Sequence, residues 1–258
     1  MTDATRRFDA LADDYARYRP GYPRALVDAL RAERGLPRGA HVADVACGTG
    51  LLAEPFLEDG CRVTGVEPSA AMRAHAHARL GARPGFRALD GRAEATGLPA
   101  ASVDAIVAGQ SLHWFDLPRA RAEFARVLRP GGWVACVWND RQHSTEPLLV
   151  EYEALLHAHC PAYGAALRAA TGEALARGFL GADRVDPGAL RVLHVANPQQ
   201  LDWEAFAGRA RSASYLPRED PGRAAVFAAL RALFERHQRG DCVAFTLDTL
   251  AYHGTLPG

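Results

Sequence analysis

VADVACGTG, residues Val42 to Gly50, is an apolar run that breaks into a glycine-containing turn. The run His41 to Ala46 has the length and continuity of a strand buried on both faces. Glycines at such a turn let the backbone approach a ligand, and a following helix offers free N–H groups. In a doubly wound sheet this is the switch point where nucleotides bind. Gly48 to Ala53 also satisfies GxGxx(G/A), so the loop alone suits NAD as well as other adenosine ligands.

Outward from this turn the chain alternates. Apolar runs recur at Cys61 to Val66, Phe86 to Leu89, Val103 to Ala108 and Trp133 to Trp138. Helical periodicity separates most of them, notably at Ser69 to Leu80 and Leu117 to Leu128. A helix also continues from the turn to about Asp59, with Pro55 disturbing its first turn. Upstream, helices are expected at Asp9 to Tyr18 and from Pro23 onward. After Asp140 the rhythm becomes mainly helical, at Pro147 to His159, Ala165 to Phe179, Trp203 to Ser212 and Gly222 to Gln238. Strand-like runs there are only Leu190 to Val195 and Val243 to Tyr252. Apolar strands alternating with helices predict an α/β protein with a Rossmann-like, doubly wound sheet of seven strands under a helical cap. Residues 1–258 form one domain in this reading. Its parts are a helical lid at 1–40, a core at 41–140, a cap at 144–237 that contains one strand, and a last strand at 243–252.

Composition narrows the partners. The chain of 258 residues is long enough for a full core, and 48% hydrophobic with 23% charged residues is ordinary for a globular protein. All 30 basic residues are arginine, and 30 acidic residues balance them. No global field draws the protein to nucleic acid or to a membrane. Cys47, Cys61, Cys136, Cys160 and Cys242 contain no CxxC pair, which argues against a disulfide framework or a zinc site. The N-terminus has no apolar signal core, and no apolar run reaches the roughly 18 residues of a membrane span. The cytoplasm is the expected compartment. His75 and His77, two apart on one helix, do not share a face, so no metal site is expected.

Two carboxylates refine the ligand. Glu67 ends the second apolar run, where it can accept from both hydroxyls of a ribose. Asp44 lies near the end of the first strand, placed to orient the loop or an ammonium group. A pyrophosphate has no use for that second acid.

Four motifs in order, DVACGTG (Asp44 to Gly50), the strand-end Glu67, GRAEATGLPAASVDAIVAGQSLHWF (Gly91 to Phe115) and VLRPGGW (Val127 to Trp133), resemble the class I, S-adenosylmethionine-dependent methyltransferases. The resemblance is to the methyltransferase type 11 group of small-molecule enzymes, which includes ubiquinone-biosynthesis and trans-aconitate methyltransferases. It spans roughly residues 8 to 140. QSLHWF with YRPGYP (Tyr18 to Pro23) is similar to a subgroup related to yeast trans-aconitate methyltransferase. The resemblance implies a mostly parallel sheet with an antiparallel last strand and S-adenosyl-L-methionine as cofactor. It implies that Ala46, Cys47, Gly48 and Gly50 contact the methionine moiety and that Glu67 holds the ribose. Met72 would lie against adenine with Pro68 nearby, Ala93 would donate to an adenine nitrogen, and Gln110 would line the methionine end. Arg19 would pair with the cofactor carboxylate. Two residues depart from the pattern. Ala46 replaces a glycine, which is tolerable unless the position needs a positive φ. Arg92 stands where relatives often have an acid for the adenine amino group, a role open to Glu94 or Asp90.

Methyl transfer from a sulfonium is an in-line displacement, so the site must align the reacting atoms and exclude water. A hydroxyl or protonated amine acceptor also needs a base, for which His113 is the candidate. Alternatively, His113 and Trp114 only start the next helix. Tyr15 and Tyr18 either form an aromatic lid or pack a helix, and Trp114 is a further candidate for acceptor contact. Arg209, Arg211 and Tyr215, in GRARSASYLP, either clamp an anionic acceptor or end a solvated helix. Trp138, Asn139 and Arg141 either touch substrate or pack the strand end. The expected activity is methyl transfer to a small molecule, oxygen favoured, by a monomer or homodimer. The rivals are a nucleotide-dependent oxidoreductase, a nucleic-acid methyltransferase and a cofactor-binding protein without transfer.

Overall fold

The computed structural model describes residues 12–141, 145–164, 172–181, 190–217 and 221–256. The start of the expected first helix (9–11), Ser144 and the first part of the helix expected from Ala165 (165–171) lie outside them. So does the stretch 182–189.

The helices α1 (Ala12–Tyr18) and α2 (Arg24–Arg34) precede β1 (His41–Val45), α3 (Ala53–Glu58), β2 (Arg62–Val66), α4 (Ala70–Leu80) and β3 (Phe86–Leu89). Then follow β4 (Val103–Gly109), α5 (Leu117–Val127), β5 (Leu128–Asp140), α6 (Pro147–His159) and α7 (Gly172–Leu180). The chain continues through β6 (Arg191–Asn197), β7 (Gln200–Leu201), α8 (Trp203–Arg211), α9 (Gly222–His237), β8 (Val243–Ala244) and β9 (Leu247–Gly254). The seven-stranded sheet runs β3-β2-β1-β4-β5-β9-β6. β9 is antiparallel to both its neighbours, and the pairs among β1 to β5 are parallel. This is the expected doubly wound α/β sheet. β1 lies between β2 and β4, so the chain reverses its direction across the sheet there and opens a crevice at the strand ends.

Alternation along the strands builds two cores. Ala43, Val45 and Ile106 face one layer with Phe124 and Trp138. Val42, Ala105 and Val107 face the other with Leu26, Phe56 and Trp133. A third cluster stands apart from both: Tyr152 of α6, Phe206 of α8, Leu230 and Phe234 of α9, and Phe245. Phe206 packs against Tyr152, Trp203, Phe234 and Phe245 at centroid distances of 5.6 to 6.4 Å. The cap therefore has an aromatic centre of its own.

Three boundaries differ from expectation. The strand expected over Val243 to Tyr252 is two strands, because Val243 and Ala244 pair with Leu201 and Gln200 in a separate ribbon. The Phe245 N–H then bonds the Gln199 carbonyl before the chain enters the main sheet at Leu247. β5 begins at Leu128 rather than Trp133, since Leu128 already pairs with Val103 ahead of a register shift. His113 and Trp114 do not start the next helix. They form a short 3-10 turn, Leu112–Trp114, and α5 begins afterwards with Asp116 capping the Arg119 N–H.

Candidate functional site

The turn after β1 bends through left-handed residues. Ala46 (φ 56°), Gly48 (φ 55°) and Gly50 (φ 82°) all have positive φ. Ala46 thus sits where glycine is favoured, and its methyl group carries the strain that the sequence left conditional. A side chain at Gly50 would collide with Leu80 of α4, so this glycine brings helix and loop together. Glu67, at the end of β2, ties the neighbouring turn to the loop. Its carboxylate accepts from the Gly48 N–H at 3.0 Å and from the Ser69 N–H at 2.9 Å.

Asp44 lies beneath the loop, 1% exposed. Neither of its oxygens makes a hydrogen bond of normal geometry among the described residues. Burial, with the Glu67 charge adding to it, pushes its pKa up to about 8. A buried acid with open acceptors is suited to a cationic ligand group, which would restore its charge.

Opposite the loop stands the segment between α1 and α2. Tyr15, Arg19, Pro20 and Tyr22 border a solvent-open cleft of about 450 Å³ together with Asp44, Ala46, Cys47, Gly48, Leu51, Leu52, Gly109, Gln110 and Asn139. Seven of these were expected from sequence: Tyr15, Arg19, Asp44, Ala46, Cys47, Gly48 and Gln110. The Arg19 guanidinium lies 5.1 Å over the Tyr15 ring and donates to the Ser212 carbonyl at 3.1 Å, and its buried Nε has no hydrogen-bond partner among the described residues. An arginine on one side and an acid on the other match the carboxylate and ammonium of an amino acid. The residues present fit the methionine end of S-adenosylmethionine.

Sequence reasoning missed Pro20, Tyr22, Leu51, Leu52 and Gly109 as pocket residues. Gly109 carried a readable signal, a strand-end glycine, since a side chain there would meet the Tyr22 hydroxyl. Asn139, for which substrate contact and strand-end packing were the alternatives, packs the strand end at the pocket's edge. It lines the pocket, and it braces the strand end by donating to the Gly21 carbonyl at 3.2 Å. Its side-chain oxygen accepts from Asn197 at 3.1 Å and Thr249 at 2.6 Å.

The adenosine-side candidates lie along the ends of β2 and β3. Met72 and Ala93 are buried, Pro68 is half-buried, and Ser69 caps α4 by accepting from the Met72 N–H. Glu94 accepts from the Asp116 N–H at 2.8 Å, and Asp90 is exposed and bridged to Arg73 at 3.1 Å.

The remaining candidates divide. His113 packs at a tilt against Trp114 with ring centroids 4.7 Å apart, its Nδ1 is buried without a hydrogen bond among the described residues, and burial lowers its pKa, which keeps the ring neutral at pH 7. Trp114 is exposed. Tyr18 donates to Glu204, and its ring fills the space where Gly208 has no side chain. Arg211 pairs with Glu204 at 3.0 Å and Asp14 at 3.6 Å, and so fastens α8 to α1. Arg209 is buried, and the half-buried Tyr215 meets Tyr163 edge to face, with ring centroids 4.8 Å apart. Among the described residues no cluster of His, Cys, Asp or Glu could hold a metal ion, and no helix is long and apolar enough to cross a membrane.

Comparison with known proteins agrees with this geometry. Residues 43–136 match the profile of a family described as a methyltransferase domain. An uncharacterized methyltransferase of Mycobacterium tuberculosis is 41% identical over 140 residues, covering 54% of this chain and 54% of that protein. The malonyl-[acyl-carrier protein] O-methyltransferase of Enterobacter lignolyticus is 34% identical over 133 residues, covering 49% of this chain and 52% of that one. The chain thus spans about half the length of the curated relatives it matches. A solved structure from Anaeromyxobacter dehalogenans, described as a candidate type II methyltransferase, superposes with a TM-score of 0.64 at 27% identity, covering 93% of this chain and 98% of its own. Residues 43–136 match a methyltransferase domain, and the family match, the curated relatives and the solved structure all indicate the class I, S-adenosylmethionine-dependent type.

Proposed function

We propose that the protein binds S-adenosylmethionine and transfers its methyl group to a small molecule, with oxygen favoured as the acceptor atom. The carrying observation is the pocket at the β1 and β4 ends, where Arg19 offers a positive charge, Asp44 a buried acid that a cation would ionise, and the glycine turn leaves room for a ligand. The similarity to a malonyl-[acyl-carrier protein] O-methyltransferase supports oxygen. In this reading Arg19 takes the cofactor carboxylate and Asp44 its ammonium, with Ala46, Cys47, Gly48, Gly50 and Gln110 around the methionine end. Glu67 exchanges a backbone partner for the ribose hydroxyls, and Pro68, Met72, Ala93 and Glu94 border the adenine.

When bound, the cofactor supplies an electrophilic methyl group on a positively charged sulfur. The chain's own residues position the acceptor, exclude water and, where needed, remove a proton. Tyr15, Tyr18 and Trp114 furnish aromatic surface, and Tyr15 is half-buried under the Arg19 guanidinium. His113 is the base for a hydroxyl acceptor, since its lowered pKa leaves it able to take a proton at pH 7. The zero net charge supports a small acceptor rather than nucleic acid or membrane. The lid at 1–40, the core at 41–140 and the cap at 144–237 act as one domain, as a cytoplasmic monomer or homodimer.

Isothermal calorimetry with S-adenosylhomocysteine and NAD tests the reading. S-adenosylhomocysteine should bind and NAD should not. Tight NAD binding without S-adenosylhomocysteine binding would replace methyl transfer with oxidoreduction.

A further inference from the structure

At the carboxyl end of β5, the apolar sheet turns polar across three neighbouring strands. Asn139 of β5 stands opposite Thr249 of β9 in register, and Asn197 ends β6 on the far side of β9. Thr249 is fully buried and both asparagines are 9% exposed. Polar groups at that depth destabilise a fold unless hydrogen bonds offset their desolvation. The Thr249 hydroxyl donates to Asn139 Oδ1 at 2.6 Å, and Asn197 Nδ2 donates to the same oxygen at 3.1 Å. Two donors on its oxygen settle which way the Asn139 amide faces, since the flipped amide would set one NH2 group against another. Its Nδ2 is thereby aimed at the Gly21 carbonyl, 3.2 Å away, and Asn197 Nδ2 adds a second donor to that carbonyl at 2.9 Å.

Gly21 lies within the segment between α1 and α2, and its neighbours Arg19, Pro20 and Tyr22 form one wall of the cleft. That wall belongs to no helix or strand. A segment without ladder bonds keeps its shape through what its own polar groups touch, and here the Gly21 carbonyl is fastened to the sheet by two amides. The facing side is tied to the same residue. Gln110 Nε2 donates to the Asn139 backbone carbonyl at 3.1 Å, and Gln110 has φ 54°. A non-glycine residue stays in that left-handed conformation when its surroundings hold it there. Asn139 therefore joins both sides of the cleft, and Asn197 and Thr249, which do not line the cleft, fix Asn139.

We propose that Asn197 and Thr249 are positioning residues for cofactor binding, holding the Arg19 to Tyr22 wall opposite the glycine loop through Asn139 and the Gly21 carbonyl. The inference deepens the methyltransferase reading and rests on it. Neither residue touches the cofactor. Their effect is preorganisation: a wall already in place binds S-adenosylmethionine directly, whereas a released wall must be ordered on binding, which lowers the affinity. Arg19 feels the release most, because this segment carries its guanidinium.

Near-isosteric variants of the full chain separate positioning from folding. Thr249→Val removes the hydroxyl and suits a strand, Thr249→Ser keeps the hydroxyl, and Asn197→Asp sets an oxygen where Nδ2 faced the Gly21 carbonyl. Calorimetry with S-adenosylhomocysteine should show binding about 3-fold weaker for Thr249→Val and roughly 10-fold weaker for Asn197→Asp, the scale of one and of two lost hydrogen bonds. Thr249→Ser should stay within about twofold of wild type. Hydrogen exchange on the free variants should quicken at the Gly21 and Tyr22 amides while β1 and β4 keep wild-type protection, a pattern that a general loss of stability does not give. Should Asn197→Asp fail to fold, Thr249→Val with its serine control carries the test. Affinity within about twofold of wild type in either folded variant that lacks the donor overturns the proposal. So does an equal loss in Thr249→Ser and Thr249→Val, or exchange that rises along β1 and β4 as much as at Gly21. If the wild type itself does not bind S-adenosylhomocysteine, the methyltransferase reading fails instead, and the exchange pattern still decides whether this network holds the wall.

Discussion

The loop after β1 and the cluster beneath α8 both bury charge, but they are built from different material. At the loop, position comes from backbone. Three left-handed residues bend the chain, and Glu67 is held by two amides, so the loop and its carboxylate brace are assembled within one stretch from Asp44 to Ser69. Beneath α8, position comes from side chains alone. Arg141, Tyr152, Tyr163, Arg209 and Tyr215 arrive from separate segments and meet only because α6, α8 and α9 pack around Phe206. A site of the first kind tolerates change in its surroundings. One of the second kind depends on the core that gathers it.

That contrast breaks most readily at Phe206. It is fully buried at the cap's aromatic centre, so Phe206→Ala should cost about 3–5 kcal/mol in urea unfolding. S-adenosylhomocysteine affinity should fall far less than stability, because none of the pocket residues belongs to the third cluster. A loss under about 1 kcal/mol, the range of surface changes, would mean that the cap lacks a working core.

Glu67 probes the other region. Glu67→Ala removes a charged acceptor and should weaken S-adenosylhomocysteine binding by about 1.5–3 kcal/mol. The fold should survive, since the Cys47 N–H still bonds the Val66 carbonyl between the two strand ends. Affinity within twofold of wild type, with a collapsed melting curve, would make Glu67 a structural brace only.

Asp44 gives the pH signature of the loop. Its pKa is raised in the folded state, so the native protein holds a proton that the unfolded chain releases between its ordinary value and about 8. Stability therefore falls as pH rises through that window. Relative to Asp44→Asn, the wild type without ligand should lose about 4 kcal/mol between pH 5 and pH 8.5. His253 slopes the other way. Burial lowers its pKa to about 4, so its contribution is lost as pH falls from the ordinary histidine value toward 4. Parallel unfolding curves for wild type and Asp44→Asn at both pH values would show that Asp44 is not desolvated as drawn.

Legibility followed the same division. Asp44, Gly48, Gly50 and Glu67 could be placed from sequence because strand, turn and helix fix their neighbours within one βαβ unit. The sheet was readable because its strands are buried on both faces and show as continuous apolar runs. The β7–β8 ribbon was not, since two residues on each side carry no period. Arg209 and Arg211, two apart on one helix, looked equivalent in sequence. The structure separates them, one buried beside Phe245 and one tied to Asp14 and Glu204, and only the packing of α1 against α8 decides which is which. Tyr22 went unmarked because nothing in its own segment announces the missing side chain at Gly109 that it fills.

The smallest effect is the most specific test of the loop. Ala46 has φ 56°, where an L-residue with a Cβ is about 1–2 kcal/mol worse than in the right-handed region. Glycine removes that strain but gives the unfolded chain more freedom, which costs about 0.4–1 kcal/mol. The first effect wins narrowly, so Ala46→Gly should stabilise the protein by about 0.5–1 kcal/mol, or a few degrees in Tm. A matching change at Ala101, also at positive φ (47°) but on a loop outside the pocket, controls for the general effect. Both substitutions should raise Tm, while Ala46→Gly alone should change S-adenosylhomocysteine affinity. If Ala46→Gly lowers stability while Ala101→Gly raises it, the Ala46 methyl group is making contacts worth more than its strain. The loop would then owe its shape to packing, as the cap cluster does, and the contrast between the two regions would disappear.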